Sequence, residues 1–308
     1  MKLKFLFGAG LACAAGLVLA SCANSPEKPQ ARTYYSPTVR ATPSNLTAQA
    51  GVFEAYMRRA RSIDSSFSGP GEVSQALQTG ASHEPRQLEE GMIAYAAVAA
   101  LQEPRFVEAL KSSPNRAELV RRLANDPAQA LSLPGGEAAA ARASGALVSQ
   151  GEALRDRGLS VKRAAYSVQH QAWSKRAVPD PRGRLARVKQ LSTEPFRSDG
   201  DESARIYAAM AEGGRRGGPA GPVVTRAVAL AALNVLGEGA QGRQLMSEPR
   251  TASCLRIAKL NLYQCLAAAG PQYEDIFCLG QHAMADTGQC VVDATHPPRT
   301  ATRTSYRR

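Results

Sequence analysis

Four of the six cysteines lie in the last fifth of the chain and are its most chemically versatile residues. They are Cys254, Cys265, Cys278 and Cys290. Cysteine sulfur can form disulfides, bind metal ions or act as a nucleophile, and each role requires its own spacing. The spacing of these four residues therefore indicates which chemistry they can support, and it constrains the helices that must position them.

The four cysteines are symmetric about the Gly-Pro dipeptide at 270–271, which predicts a turn. Position 271.5 lies midway between Cys265 and Cys278, and position 272 lies midway between Cys254 and Cys290. An antiparallel helical hairpin with two cross-links needs this symmetry, because each cross-link joins residues equally far from the turn. Of the three connectivities that four cysteines allow, the nested one is therefore predicted, with disulfides Cys254–Cys290 and Cys265–Cys278.

Helix geometry places one condition on this pairing. Cys254 and Cys265 are eleven residues apart, so at about 100° per residue they share a helix face. Cys278 and Cys290 are twelve residues apart and would lie about 120° from each other on an uninterrupted helix. The second helix is therefore predicted to end near the Asp-Thr-Gly sequence at 286–288, which would leave Cys290 free to turn toward its partner.

The predicted hairpin resembles twin-cysteine helical hairpins in general architecture. Its spacings differ from that of the mitochondrial twin-cysteine family, so the resemblance implies no function. A metal site is the alternative use of the same residues, because His282 lies one helical turn after Cys278 and both could face one ion. No Cys-x-x-Cys pair is present and an oxidising compartment favours disulfides, so neither a metal ion nor another cofactor is predicted.

Residues 1–21 have the layout of a secretory signal peptide, with two lysines before an uncharged run rich in Ala, Gly and Leu. The run ends in Leu-Ala-Ser-Cys, which resembles a bacterial lipobox. That resemblance implies that Cys22 is lipidated and becomes the first mature residue. Cysteine parity supports it, because ordinary cleavage after Ala20 would leave an odd thiol, whereas lipidation leaves four cysteines to pair. Ordinary cleavage, giving a soluble periplasmic or secreted protein, is the alternative.

The mature N-terminus predicts a protein tethered to the bacterial cell envelope and facing the periplasm. Residues 22–43 hold several prolines without apolar periodicity, which indicates an extended stalk that begins at the lipid anchor. Ala23 follows the cysteine, and by resemblance to enterobacterial lipoprotein sorting this favours the outer membrane. The first predicted partner is therefore the membrane itself, through the anchor at Cys22.

Composition predicts an all-α fold, an irregular multi-helix body that carries the C-terminal disulfide-bridged antiparallel helical hairpin. Aromatic residues make up 6% of the chain, β-branched runs are short, and no Asn-Gly or Asp-Gly turn lies between alternating segments. The tripeptide Glu-Pro-Arg occurs three times, each time before a helical pattern, as expected when proline occupies the first helical turn. Helices are predicted at 44–66, 72–79, 85–101, 104–112, 115–124, 136–176, 201–212, 222–237, 250–269 and 272–286.

Two prolines close together indicate a boundary within the body. The predicted segments are an N-terminal helical domain at 44–176, a linker at 177–200, a C-terminal helical domain at 201–293 with the hairpin at 254–290, and a basic disordered tail at 294–308. The long helix of the first domain is expected to break near Gly158, because glycine is unfavourable inside a helix.

The formal net charge is +12, which indicates anionic partners. The tail concentrates four arginines: Arg299, Arg303, Arg307 and Arg308. Outside the cytoplasm the available anions are phospholipid head groups, lipopolysaccharide phosphates and peptidoglycan carboxylates, and nucleic acid is not a predicted partner. A solvated surface kept soluble by arginine is the simpler interpretation of the same charge.

Catalytic motifs are absent from the sequence: no Gly-x-Ser-x-Gly elbow, His-Glu-x-x-His helix or Ser-x-x-Lys nucleophile with its partners occurs. No catalytic residue is therefore predicted, and the expected function is non-enzymatic scaffolding or binding, with an anionic polymer or another envelope protein as partner. One alternative is a secreted enzyme, for example a cell-wall hydrolase, whose site would be assembled from distant residues such as Glu152, Asp156 or His282. Another is a metal-binding envelope protein that uses Cys278 and His282.

Overall fold

The computed structural model describes residues 45–195 and 202–298, and over these ranges the fold is all-α, as predicted. The α-helices are α1 (Asn45–Arg61), α2 (Pro70–Ala81), α3 (Pro85–Ala100), α4 (Pro104–Lys111), α5 (Arg116–Asn125), α6 (Gly136–Val168), α7 (Pro181–Leu191), α8 (Glu202–Gly213), α9 (Pro222–Val235), α10 (Pro249–Ala268), α11 (Gln272–Cys278) and α12 (Asp286–Asp293). Short 3-10 turns occupy Pro127–Ala130 and Gln241–Leu245, and a π-helical turn at Leu279–Ala285 joins α11 to α12. The predicted signal peptide and stalk lie outside the described residues, and so do the arginines of the tail.

All three Glu-Pro-Arg tripeptides begin helices, as their sequence predicts. Pro occupies the first turn of α3, α4 and α10. The carboxylates of Glu84 and Glu248 each accept hydrogen bonds from two backbone N–H groups of the helix that follows, which satisfies donors that have no partner within the helix. Glu103 instead bonds Arg142 and Arg215 at 3.1 and 2.9 Å.

Helix α3 lies at the centre of the body. Every residue from 91 to 100 is buried, as expected of a helix that is apolar nearly all round. α1, α6 and α9 pack around it. The rings of Phe53 and Tyr95 meet across the α1–α3 contact, with centroids 5.1 Å apart.

The segment predicted as a linker at 177–200 contains helix α7. Asp180 caps this helix by accepting from the backbone N–H of Gly183, and Pro181 occupies its first turn. α7 packs against α2 and α10, one helix from each side of the predicted boundary. All described residues belong to one compact unit, and the helices before and after this segment contribute to a shared hydrophobic core.

Helix α6 does not break at Gly158, and the prediction of a break there is wrong. The helix continues to Val168. Glycine occupies position 158 because another backbone passes too close for a side chain. A Cβ atom at this position would lie 2.5 Å from the backbone nitrogen of Ala285 and 2.7 Å from the carbonyl oxygen of Gly280. The absence of a side chain is therefore a packing requirement that offsets the low helix propensity of glycine.

The close approach of α6 to the last helices is reciprocal and occurs twice. A Cβ at Gly280 would lie 2.7 Å from the carbonyl oxygen of Gly158. Likewise, a Cβ at Gly151 would lie 2.8 Å from the carbonyl oxygen of Gly288, and one at Gly288 would lie 2.6 Å from that of Gly151. We call these four glycines the glycine seam. It lets α6 run antiparallel to the α11–α12 segment with the two backbones almost in contact.

Replacing a seam glycine by alanine should destabilise the protein even though alanine favours helices. In Gly158→Ala, the gain in helix propensity of about 1 kcal/mol is outweighed by overlap with backbone atoms that cannot move independently. We expect the free energy of unfolding, measured by urea denaturation, to fall by about 2 kcal/mol.

The matched control for this substitution is Gly71→Ala in α2, where a Cβ would meet nothing within 4 Å. It should leave the unfolding free energy unchanged or slightly raised. If Gly158→Ala behaved like this control, the seam would not be a tight contact.

Candidate functional site

The C-terminal hairpin forms as its cysteine spacing predicts. The structure has the two nested disulfides, Cys254–Cys290 and Cys265–Cys278, each with a Cα–Cα distance of 5.7 Å. α10 supplies one cysteine to each bridge, and the continuous segment from α11 to α12 supplies the other. The hairpin is therefore covalently closed near its turn and again near its far end.

The predicted helix end at 286–288 is wrong, and the π-helical turn replaces it. The chain stays helical from Gln272 to Asp293 and changes hydrogen-bonding pattern at Leu279–Ala285. A π-turn holds about one residue more than an α-turn. The twelve residues from Cys278 to Cys290 therefore rotate through about the same angle as eleven α-helical residues. That is the separation of the two cysteines on α10, so both halves of the hairpin present their sulfurs in register.

The turn of the hairpin is held by the chain segment that follows α6. The backbone N–H of Val178 donates to Gly270 O at 2.9 Å, and the N–H of Gln272 donates to Arg176 O at 3.1 Å. Ala177 and Pro271 form an isolated antiparallel bridge at the same place. The turn thus has partners for its backbone on the body of the protein, and the hairpin does not depend on the disulfides alone for its position.

Arg184 of α7 caps the C-terminus of α10 and pairs with Asp275 of α11. Its guanidinium donates to the carbonyl oxygens of Leu266 and Ala269, the latter at 3.3 Å, and to the carboxylate of Asp275. The two charged side chains are 9% and 4% exposed, so this is a buried ion pair. Burial raises the pKa of Asp275 to about 6, although the hydrogen bond and charge of Arg184 pull it in the opposite direction.

The N-terminus of α10 is capped from a distance as well. Glu89 of α3 is buried and accepts from the backbone N–H of Glu248 and, at 3.2 Å, from the hydroxyl of Ser247. Burial raises the pKa of Glu89, and these hydrogen bonds partly oppose the rise. α10 therefore has an acidic partner at its positive end and Arg184 at its negative end, the arrangement that the helix dipole favours.

A buried lysine caps the C-terminus of α2. Lys259 Nζ donates to the carbonyl oxygen of Ala81 at 2.9 Å and lies 3.2 Å from His83 Nδ1. The Ser192 hydroxyl donates to the same carbonyl at 3.2 Å. Burial lowers the pKa of both Lys259 and His83, and the nearby lysine charge lowers that of His83 further. This cluster satisfies the end of α2 inside the protein and joins α2, α7 and α10.

His282 pairs with a carboxylate on the surface of the π-turn. Its Nδ1 lies 2.7 Å from Asp286 Oδ2, and the Gln281 side chain donates to the other carboxylate oxygen at 2.7 Å. Burial tends to raise the pKa of Asp286, but these hydrogen bonds and the charges of His282 and Lys162 outweigh it, so the pKa is lowered. The pair can orient the imidazole.

The alternative metal site at Cys278 and His282 does not form in the oxidised protein. Cys278 is bonded to Cys265 and has no thiolate to offer a metal ion. Across residues 45–195 and 202–298, no group of three or more His, Cys, Asp or Glu side chains is arranged to hold one.

The residues named for a possible enzyme are placed on the surface of α6 and the π-turn. Glu152 lies 3.6 Å from Arg216, and Asp156 lies 3.2 Å from its neighbour Arg155. Two surface grooves, of about 460 and 260 Å³, lie elsewhere, one along α4 and the other between the 3-10 turn at Pro127–Ala130 and the start of α9. Neither is lined by Glu152, Asp156 or His282.

Several predicted site residues lie outside the described residues and stay predictions. They are Cys22, Arg299, Arg303, Arg307 and Arg308. Within the described ranges, no helix combines the length and the apolar character needed to cross a membrane.

Sequence patterns did not reveal the partners of the hairpin. A local signal for α7 exists, because Asp180 and Pro181 are a good helix start and Leu185, Val188 and Leu191 follow at helical spacing. The pairs Arg184–Asp275 and Lys259–Ala81 join residues 91 and 178 positions apart, and nothing local marks such pairs. Comparisons of the chain with protein-family models, with curated proteins and with solved structures find no match.

Removing the inner disulfide should destabilise the protein without unfolding the hairpin. The bridge joins residues 13 positions apart, and a loop of this length is worth about 3 kcal/mol in the chain-entropy model. We expect Cys265→Ser/Cys278→Ser to lower the free energy of unfolding in urea by that amount. Reductant should lower the unfolding free energy of the wild type. It should leave the unfolding free energy unchanged in a variant in which all four C-terminal cysteines are replaced. An unchanged unfolding free energy in the double variant would contradict this prediction.

Asp275 should make stability depend on pH. Its folded pKa of about 6 exceeds the unfolded value of 3.8, so its contribution is full at low pH and is lost as the pH rises from about 4 to 6. In Asp275→Asn this loss disappears. The difference in unfolding free energy, variant minus wild type, should therefore increase by up to about 3 kcal/mol between pH 4 and 7. The exposed Asp156→Asn is the control, and parallel stability curves for Asp275→Asn and wild type would refute the assignment.

Proposed function

We propose that this protein is a non-enzymatic lipoprotein of the bacterial cell envelope, with a scaffolding or binding role. It is tethered through a lipidated Cys22, faces the periplasm and belongs to the outer membrane. The stalk at 22–43 separates the anchor from the helical body. Its partners are the membrane and either an anionic envelope polymer or another envelope protein.

This proposal rests on the observation that all four C-terminal cysteines are paired in disulfides. Both disulfides are closed inside one hairpin, which is the state expected of a protein that folds in an oxidising compartment. Cys13 belongs to the predicted signal peptide, so Cys22 is the single mature cysteine with no partner to pair with. A lone cysteine directly after a signal-like segment is the residue that lipidation would use.

The construction of the body supports a binding role. The hairpin is held on one side by the glycine seam and at its turn by Arg184 and the segment 174–178, so its position is well defined. The opposite side of α10 is exposed to solvent. A rigid helix pair with one docked face and one free face is suited to recognising a surface.

Intact mass measurement tests the lipid anchor. The protein is extracted from its native membrane, alkylated without reduction, and measured before and after reduction. We expect a chain that begins at Cys22 and carries a diacyl or triacyl increment, no alkylation before reduction, and four additions after it. Cys22→Ala should lose the increment and keep both disulfides.

An unlipidated mature chain with a free thiol at Cys22 would refute the anchor and favour a soluble periplasmic or secreted protein. Immediate alkylation of the C-terminal cysteines would refute the oxidising compartment. A proteolytic digest of the same sample assigns the lipid and the alkylated cysteines to separate peptides, so each part of the proposal is tested separately.

A further inference from the structure

The solvent face of α10 carries two large aliphatic side chains. Ile257 and Leu260 are 53% and 51% exposed, and they lie one helical turn apart on the side opposite the buried Leu255 and Leu262. Two tyrosines elsewhere, Tyr166 and Tyr207, are the other strongly exposed large apolar residues among the described ones. Contact with an apolar partner would remove both side chains from water, which lowers the free energy of the system. An exposed aliphatic pair on a rigid helix is therefore a candidate contact surface.

Cations surround this aliphatic pair. Neither α7 nor α10 contains an acidic residue. Five cationic side chains of these helices are exposed and make no ion pair within the described residues: Arg182, Arg187, Lys189, Arg250 and Arg256. Glu84, the acid whose charge acts on Tyr263 and Lys259, is occupied as the cap of α3. Positive charge therefore dominates on both helices.

The packing of α7 brings its cations next to α10. Arg184 contacts the C-terminal carbonyls of α10, and Lys189 Nζ lies 5.8 Å from the ring centroid of Tyr263. α7 thus runs antiparallel to α10 along one edge of the solvent face. Arg256, Leu260 and Tyr263 are spaced by four and three residues, so they line that same edge. We call the surface formed by Arg182, Lys189, Arg250, Arg256, Ile257 and Leu260 the α7–α10 face.

We propose that the α7–α10 face binds the surface of an anionic lipid bilayer. Arginine and lysine suit the phosphates of acidic phospholipids, while Ile257 and Leu260 would enter the boundary between head groups and acyl chains. An anionic polysaccharide or a nucleic acid would satisfy the cations but would leave the aliphatic pair in water. The combination of both chemistries on one face favours a lipid surface.

This inference goes beyond the proposed function, because it requires no modification of Cys22. A tethered protein would lie on the membrane through this face, and an untethered one would bind through it directly. The experiment therefore measures which face of the protein contacts lipid, whatever brings the protein there.

Site-specific tryptophan quenching tests the proposal on the full chain. The single tryptophan is removed as Trp173→Phe, and a new one is introduced as Leu260→Trp or, as a control with similar exposure, Tyr166→Trp. Each protein is mixed with vesicles of brominated phosphatidylcholine, with and without phosphatidylglycerol. With phosphatidylglycerol present, we expect bromine to quench position 260 at least about twofold more than position 166. Intact mass of the same samples reports on Cys22 independently.

Charge reversal completes the test. In the Leu260→Trp protein, Lys189→Glu/Arg256→Glu should abolish the quenching, whereas Lys111→Glu/Arg163→Glu, which reverses two exposed cations on other helices, should preserve it. Circular dichroism establishes that every variant is folded. Equal quenching at positions 260 and 166, quenching that does not need phosphatidylglycerol, or quenching that survives Lys189→Glu/Arg256→Glu would each overturn the proposal.

Discussion

The backbone contact between α6 and the last helices is the constraint on which the architecture depends. At Gly151 and Gly158 the central part of α6 comes so close to Gly288 and Gly280 that no side chain fits between the two chains. The contact fixes the distance of the whole α11–α12 segment from the body. Both disulfides connect that segment to α10, so the seam and the capping contacts of α10 together hold the hairpin in place.

The ends of these closely packed helices are also contacted by distant charged side chains. Glu89 and Arg184 serve the two ends of α10, and Lys259 serves the end of α2. Each supplies a hydrogen-bond partner to a backbone group at a helix end that has none within the helix. Burying a charge costs free energy, and the bonds to otherwise unpaired backbone groups offset that cost. These buried charges therefore have a structural explanation.

The hairpin consequently has two unlike faces. One is docked on α6 and cross-linked, and its shape is determined by backbone contact. The other carries Ile257, Leu260 and Arg256 beside the cations of α7 and meets solvent. A face of this kind contributes little to folding, because its side chains are already outside the core. Its composition is the basis of the proposed contact with a lipid surface.

Local rules were sufficient for part of this structure. Helix starts at Glu-Pro-Arg depend on the fixed φ of proline and, for two of the three, on capping by the glutamate, and the choice of the nested cysteine pairing follows from equal distances from a turn, so the sequence by itself determined both. Tertiary structure decided the rest. Gly158 stays helical, the π-turn brings Cys290 into register, and α7 packs against α2 and α10, which are distant in the chain. Periodicity and propensity describe one element at a time, whereas these features arise where two backbones must fit against each other.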